Sequence, residues 1–98
     1  MILLDGCRVD YFKTSNKFGK MIKEGTLFDN MITAAPYTLG SLHAIFTGMY
    51  GSKNGVDSYY GMKNLNDKCK TLTEYLQDLD YYTVCDVLRQ KLAPEKGF

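Results

Sequence analysis

The 98-residue sequence predicts an α/β fold with a mainly parallel sheet. Three segments have the apolar or β-branched composition of short strands: residues 1–5, 26–33 and 81–87. Helical patterns of apolar residues lie between these segments, so strands and helices alternate along the chain. Such alternation is typical of parallel strands joined by helices that cover the sheet.

The first predicted strand and the first predicted helix lie on either side of a turn. Residues 1–5 suit a strand buried on both faces, because apolar side chains follow one another without interruption. Gly6 predicts a turn after this strand. The helix that follows has Thr14 or Ser15 as its N-cap, apolar residues at helical spacing, and Gly25 as its end.

The central part of the chain predicts a second strand and a second helix. Residues 26–33 form the strand, and an apolar face at helical spacing begins after Thr38 and ends near Gly48. The loop at residues 51–69 is rich in Gly, Ser, Asn and Tyr, so it predicts no regular element. Asn54 in this loop is expected to be solvated.

The last predicted helix begins with a capping box. Thr71 and Glu74 have the spacing of this motif. The threonine hydroxyl accepts a hydrogen bond from the backbone N–H of the glutamate, and the glutamate carboxylate accepts one from the backbone N–H of the threonine. The apolar residues that follow are expected to face inward: Leu72, Tyr75, Leu76 and Leu79. Residues 81–87 then predict the third strand.

Composition and charge exclude several classes of function. The net charge is +1 and the lysines of residues 13–23 lie on the polar side of a predicted helix, so nothing indicates a nucleic-acid partner. No apolar run in this chain approaches the length of a membrane segment. Cys7, Cys69 and Cys85 lack metal-type spacing, which favours reduced thiols and a cytoplasmic location, although the compartment stays open.

One segment combines a hydroxyl, a proline turn and the start of a helix. Residues 35–50 have the sequence A-P-Y-T-L-G-S-L-H-A-I-F-T-G-M-Y, so Thr38 follows Pro36 and opens the apolar helix. The N-terminus of a helix has backbone N–H groups without carbonyl partners and a partial positive charge. An anionic ester could lie against Thr38 for this reason, and a simple helix cap is the alternative role of the same hydroxyl.

This segment resembles the nucleophile segment of the sulfatase and alkaline-phosphatase superfamily, whose members often have A-P-W-T-L-P-S-H-A-S-L-F-T-G-L-Y. Residues 2–10 are similar to the superfamily's opening I-L-I-x-I-D-G-x-R-x-D, and residues 71–82 to P-T-L-A-E-L-L-K-E-A-G-Y. The resemblance implies the N-terminal portion of an alkaline-phosphatase-like three-layer fold. It also implies that residues 1–98 are part of a catalytic domain whose remaining half follows.

The resemblance implies roles for individual residues as well. Thr38 takes the position of the catalytic nucleophile and of a metal ligand, and Asp5 that of the first metal ligand. Ester hydrolysis at phosphorus or sulfur needs positive charge where negative charge develops, and divalent metal ions supply it. Zinc or manganese is expected rather than calcium, because the superfamily's paired acidic opening is reduced here to Leu4 and Asp5.

The chain departs from true sulfatases at the nucleophile. Those enzymes have C-x-P-x-R, with a Cys or Ser that is converted to formylglycine, whereas this chain has Thr38, Gly40 and Leu42 at the matching places. We therefore expect a metal-dependent hydrolase or transferase of phosphate, phosphodiester or sulfate esters that works without formylglycine. Its substrate would be a small-molecule or lipid-linked ester. The alternative is a non-catalytic α/β module, or a superfamily member that lacks the metal site.

Two further residues of the segment have candidate roles. Ser41 matches the superfamily's serine, and it either bonds a neighbouring backbone group or binds the substrate ester. His43 is displaced by one position from the superfamily's histidine, so we expect a half-buried helix residue rather than a substrate contact. The other metal ligands of phosphodiesterase-like members are Asp and His residues of the C-terminal half, so residues 1–98 alone are expected to be inactive and metal-free.

Overall fold

The computed structural model describes residues 1–58, 64–86 and 92–98 of the chain. Its helices, in chain order, are α1 (Val9–Thr14), α2 (Asn16–Glu24), α3 (Thr38–Thr47), α4 (Gly51–Asn54) and α5 (Leu72–Gln77). The chain divides into two units, Met1–Ile32 and Thr33–Phe98. Among the described residues, no helix is both long and apolar enough to cross a membrane.

The predicted α/β fold with its mainly parallel sheet is wrong for the part of the chain that the structure describes. Residues 1–5, 26–33 and 81–86 contain turns and irregular backbone but no strand. Residue 87, the end of the third predicted strand, lies outside the described ranges. The three-layer arrangement that the resemblance implies is therefore not what these residues form.

The physical reason is that a strand is not a local structure. Its backbone N–H and C=O groups need a neighbouring strand, and its apolar faces need layers that cover them. Ile2 is 87% exposed, Ile32 90% and Tyr82 93%, so apolar residues that suggested strands lie in solvent. Their composition favours a pleated, half-buried surface, but composition alone does not supply the partner strand.

Two short helices and a pair of aromatic rings organise the first unit. α2 begins after Ser15 and ends before Gly25, as the capping residues predict. α1 precedes it and was not predicted; Asp10 in its first turn is favourable at the positive end of the helix dipole. The rings of Phe12 in α1 and Phe18 in α2 stack with their centroids 4.5 Å apart, so they join the two helices.

α3 provides the apolar core of the second unit. Leu42 and Phe46 are buried on α3 and pack with Ala93. The ring of Phe98 lies edge-on to the ring of Phe46, with the centroids 5.8 Å apart. α3 ends at Gly48 as predicted, because the φ of +67° at this residue lies in the left-handed region that favours glycine.

A glycine in the first turn of α3 permits a close approach of the preceding segment. A Cβ atom at Gly40 would lie 2.7 Å from Cε2 of Tyr37 and 2.8 Å from Cβ of Ala35. Carbon atoms in a packed interior do not approach this closely. The contact of the Tyr37 ring and of Ala35 with the helix backbone therefore depends on the absence of a side chain at Gly40.

The predicted capping box at the start of α5 is confirmed. The backbone N–H of Glu74 donates to Oγ1 of Thr71 at 3.2 Å, and the backbone N–H of Thr71 donates to Oε2 of Glu74 at 2.8 Å. The hydrogen bond from the Thr71 backbone lowers the pKa of Glu74, and the Lys96 ammonium, 3.8 Å from Oε1, acts in the same direction.

The expected inward face of α5 is wrong. Three of the four apolar residues that were expected to face inward are exposed: Leu72, Tyr75 and Leu79, the last of which lies beyond the end of α5. The buried side chains at its start are hydroxyls instead, because Oγ1 of Thr71 and Oγ1 of Thr73 lie 3.0 and 2.7 Å from the carbonyl oxygen of Lys96. α5 has only six residues, so it is held through its N-terminal turn rather than through a long apolar stripe.

The loop predicted after α3 contains α4 and a buried amide. Asn54 is fully buried, with 0% of its surface exposed. Its Nδ2 donates to the carbonyl oxygen of Met49 at 3.0 Å, and its Oδ1 accepts from the N–H of Val56 at 2.8 Å. The expectation of a solvated Asn54 is wrong, because its amide gives these backbone groups the partners that irregular backbone lacks.

The close approach at Gly40 can be tested with a pair of glycine substitutions. Gly40→Ala should lower the free energy of unfolding by about 1–3 kcal/mol, because the added methyl displaces the Tyr37 ring or Ala35. Gly19→Ala in α2 is the matched control, since a Cβ there meets nothing within 4 Å. It should raise the free energy of unfolding by up to about 1 kcal/mol, because alanine is the better helix former. Urea unfolding measures both changes, and equal shifts of the same sign would contradict the close packing.

Glu74 contributes a stabilisation that acid should remove. Its folded pKa lies below the usual 4.5, so the unfolded chain binds more protons in the acid range. The stabilisation is present above pH 4.5 and is lost as the pH falls through the lowered pKa. Glu74→Gln keeps a capping side chain but loses the charge, so we expect a lower melting temperature at neutral pH, a weaker decline in acid, and similar melting temperatures for the two proteins once Glu74 is protonated. Parallel melting curves against pH for the two proteins would contradict this.

Candidate functional site

Thr38 is the first residue of α3 and is half-buried. The N-cap position before it belongs to Tyr37, whose φ of −148° and ψ of 152° are extended, so Thr38 itself is not the cap. The chain bends through residues 34–37, where Pro36 restricts the backbone, and then enters the helix directly. Thr38 therefore lies at the positive end of the α3 dipole, where an anionic group is favoured.

Three oxygen atoms form a hydroxyl triangle beside the first turn of α3. It consists of Oγ1 of Thr33, Oγ of Ser41 and the carbonyl oxygen of Ala35. The two hydroxyl oxygens are 2.7 Å apart; Oγ1 of Thr33 lies 2.9 Å and Oγ of Ser41 2.7 Å from the carbonyl oxygen. Ser41 thus makes the backbone contact that was one of its two predicted roles, and its contact with an ester stays a prediction.

Ser41 is connected to the residues before Thr38 in a second way. Its backbone N–H donates to the carbonyl oxygen of Tyr37 at 3.1 Å, which closes the first turn of α3. Ser41 also stands three positions after Thr38, so the two hydroxyl residues lie on the same side of the helix. The structure therefore brings these two predicted site residues together on one helical turn.

His43 is buried on α3, with 6% of its surface exposed. Its Nδ1 lies 2.8 Å from the carbonyl oxygen of Leu39, and burial lowers the pKa of the imidazole. The carbonyl oxygen of His43 accepts a hydrogen bond from the Thr47 hydroxyl at 2.6 Å. His43 is a helix residue as expected, although it is buried more deeply than the half-burial that was predicted.

Asp5 is exposed in a turn of the first unit, whereas Thr38 and Ser41 belong to the second. A second carboxylate follows nearby in sequence: the Arg8 guanidinium donates to Asp10 at 3.0 and 2.7 Å, which lowers the pKa of Asp10. Within the described ranges, no three His, Cys, Asp or Glu side chains stand close enough together to hold a metal ion.

Thr33 is the residue of this region that the sequence did not indicate. It was placed at the end of a predicted strand, where a single hydroxyl has no pattern to mark it. Its spacing of two from Ala35 is common for hydroxyls that bond nearby backbone, and this was the one available signal. No periodicity connects it to Ser41, eight positions further along the chain.

Similarity to known proteins identifies the family. The sulfatase family matches residues 6–87, a span that includes all of α3 and begins one residue after Asp5. No curated protein and no solved structure matches the chain. Sulfatases are hydrolases whose members are generally metal-dependent. Because the matched residues make up most of the sequence, this chain belongs to the sulfatase family.

Proposed function

We propose that this protein is an ester hydrolase that uses the Thr38 hydroxyl as its nucleophile. The observation that carries the proposal is the position of Thr38 at the first residue of α3, inside the span that matches the sulfatase family. The N-terminus of a helix favours an anionic ester beside this hydroxyl and stabilises the negative charge that develops during attack. Phosphate, phosphodiester and sulfate esters all have the required charge.

For a phosphodiester the reaction has two displacements. Oγ1 of Thr38 forms a bond to phosphorus while the bond to one ester oxygen breaks; the hydroxyl proton passes to solvent, and the leaving alkoxide takes up a proton. The intermediate is a phosphodiester of Thr38 that still has the second ester group of the substrate. Water then attacks its phosphorus; the bond to Oγ1 breaks, Oγ1 takes up a proton, and a phosphate monoester is released. An alcohol in place of water in the second step would make the same protein a transferase.

The threonine itself favours phosphoryl chemistry over formylglycine chemistry. Formylglycine is an aldehyde made from Cys or Ser, whereas oxidation of a threonine hydroxyl gives a ketone because the carbon that bears it also bears a methyl group. Thr38 would instead attack the ester directly, as an unmodified alcohol. The proposed substrates are small-molecule or lipid-linked phosphate esters first, and sulfate esters attacked by the same hydroxyl second.

We also propose that Asp5 supplies one ligand to a divalent ion, zinc or manganese rather than calcium. Leu4 stands where the superfamily's second acidic residue would strengthen a calcium site. The described residues offer no cluster of three donors, so they do not make a complete metal site by themselves. When bound, a divalent ion supplies positive charge where the ester oxygens become more negative.

Removal of the Thr38 hydroxyl tests the nucleophile. In the full-length protein, Thr38→Ala should lower kcat for a chromogenic phosphodiester by at least about a thousandfold, because the attacking group is lost. Thr38→Ser restores a hydroxyl and should recover much of the rate. Ser52→Ala, at an exposed position of α4, is the matched control and should leave kcat unchanged.

The covalent intermediate gives a second measurement of the same prediction. Mass spectrometry of an acid-quenched reaction should find, on Thr38 of the wild-type protein, the phosphoryl group together with the ester group that the substrate keeps after the first displacement. A Thr38→Ala protein that keeps the wild-type rate would disprove the nucleophile. A full-length protein that hydrolyses none of these esters and binds no divalent ion would fit the non-catalytic alternative.

The proposed role of Asp5 predicts a linked loss of metal and activity. Asp5→Asn keeps the side-chain shape but removes the anionic oxygen, so the affinity for zinc or manganese should fall at least about tenfold, and turnover with it. Asp10→Asn is the control in the same unit, because that carboxylate is engaged by Arg8. Calorimetric titration of the full-length proteins measures the affinity. Unchanged metal binding by Asp5→Asn would contradict the metal-ligand role and show that Asp5 is only a turn residue.

A further inference from the structure

We propose that Thr33 and Ser41 are positioning residues that hold the Thr38 hydroxyl in its orientation for attack on an ester. This inference rests on the proposed role of Thr38 as nucleophile. It is carried by the hydroxyl triangle, whose members Thr33, Ala35 and Ser41 all lie in the second unit, within nine residues that include Thr38.

The triangle contains three short contacts but only two hydroxyl hydrogens. Each hydroxyl donates once, so the two hydrogens can satisfy two of the three contacts at a time. Ser41 donates to the carbonyl oxygen of Ala35 at 2.7 Å, and the Thr33 hydrogen has two acceptors: Oγ of Ser41 at 2.7 Å and the same carbonyl oxygen at 2.9 Å. When Thr33 donates to Ser41, the two hydrogen bonds polarise and strengthen one another; when Thr33 donates to Ala35, both hydroxyls hold the same carbonyl oxygen. In both arrangements the Thr33 hydroxyl helps to hold Ala35.

Two hydrogen bonds from Ser41 hold the backbone before Thr38. The side chain holds the carbonyl oxygen of Ala35 at 2.7 Å, and the backbone N–H holds that of Tyr37 at 3.1 Å. Pro36 is the only residue between Ala35 and Tyr37, and its ring fixes its own φ angle. Since Thr38 follows Tyr37 directly, these restraints set the direction of its Cα–Cβ bond and the places that its hydroxyl can reach.

The number of hydroxyl hydrogens also distinguishes two possible roles of Ser41: holding the backbone before Thr38 and binding the substrate. Ester oxygens are acceptors, and the hydroxyl hydrogen of Ser41 is already directed at Ala35. Binding of an ester by Ser41 would require the hydroxyl triangle to open. Loss of a substrate contact raises KM with little change in kcat, whereas loss of position lowers kcat with little change in KM.

The test measures kcat and KM of the full-length Thr33→Val and Ser41→Ala proteins with a chromogenic phosphodiester. Each change should lower kcat about tenfold to hundredfold, the order expected when a reacting group moves by about 1 Å, with KM within about twofold of wild type. Thr33→Ser keeps the hydroxyl and should restore kcat. The melting temperature of Thr33→Val should stay near the wild-type value, because Thr33 is exposed.

Thr14→Val is the matched control for loss of a threonine hydroxyl. The hydroxyl of Thr14 also bonds nearby backbone carbonyls, at 3.0 and 3.2 Å, but it does so on α1 in the first unit. Its kcat and KM should equal those of the wild type. An equal loss of kcat in Thr14→Val and Thr33→Val would overturn the proposal, since the effect would then not be particular to the triangle.

Other outcomes also decide the matter. A Thr33→Val protein with the wild-type kcat would overturn the positioning role, and so would a Ser41→Ala protein in which only KM rises. If Thr33→Val leaves kcat unchanged while the phosphoryl ester is still trapped on Thr38, the positioning role is wrong and the nucleophile is supported. If no phosphoryl ester is trapped and Thr38→Ala stays active, the proposed function fails, and this inference fails with it.

Discussion

The approach of residues 35–37 to the backbone of α3 is the constraint on which the candidate site depends. Gly40 allows it, because any Cβ at this position would overlap the Tyr37 ring and Ala35. At this distance the Ser41 hydroxyl reaches the carbonyl oxygen of Ala35, and the chain enters α3 at Thr38 directly from an extended residue. The absence of a side chain at Gly40 thus permits the segment that leads into Thr38 to lie against the helix backbone.

Elsewhere in the second unit, polar side chains hold the irregular segments. The apolar core is small, and the most deeply buried groups include Asn54 and Thr71, each bonded to backbone atoms that no regular element pairs. The Lys96 ammonium adds to this by donating to the carbonyl oxygens of Asp67 and Cys69. In the described part of the chain, no buried side-chain nitrogen or oxygen lacks a hydrogen-bond partner. Polar side chains therefore supply hydrogen-bond partners to backbone groups that lie outside the helices of this unit.

The features that could be predicted from sequence are those that depend on neighbouring residues. Ser15, Gly25 and Gly48 mark helix ends within one turn, and the capping box of Thr71 and Glu74 closes within four residues. The sheet could not be predicted correctly in the same way, because a strand depends on a partner that its own composition does not identify. The inward face of α5 was wrong for a related reason: helical spacing shows which residues share a side, not what lies opposite them.

The same division applies to the candidate site. The start of α3 at Thr38 could be predicted from sequence because Pro36 and the apolar spacing mark where the helix begins, and the role of Thr38 stays a prediction. The contact between Thr33 and Ser41 could not, because it depends on the tertiary approach at Gly40. The distinction matters more for a threonine than for a serine nucleophile. The β-methyl of threonine restricts χ1 to few rotamers, so side-chain rotation cannot correct a shift of the backbone. For a threonine nucleophile, the packing of the preceding segment therefore affects how well the hydroxyl is aligned for attack.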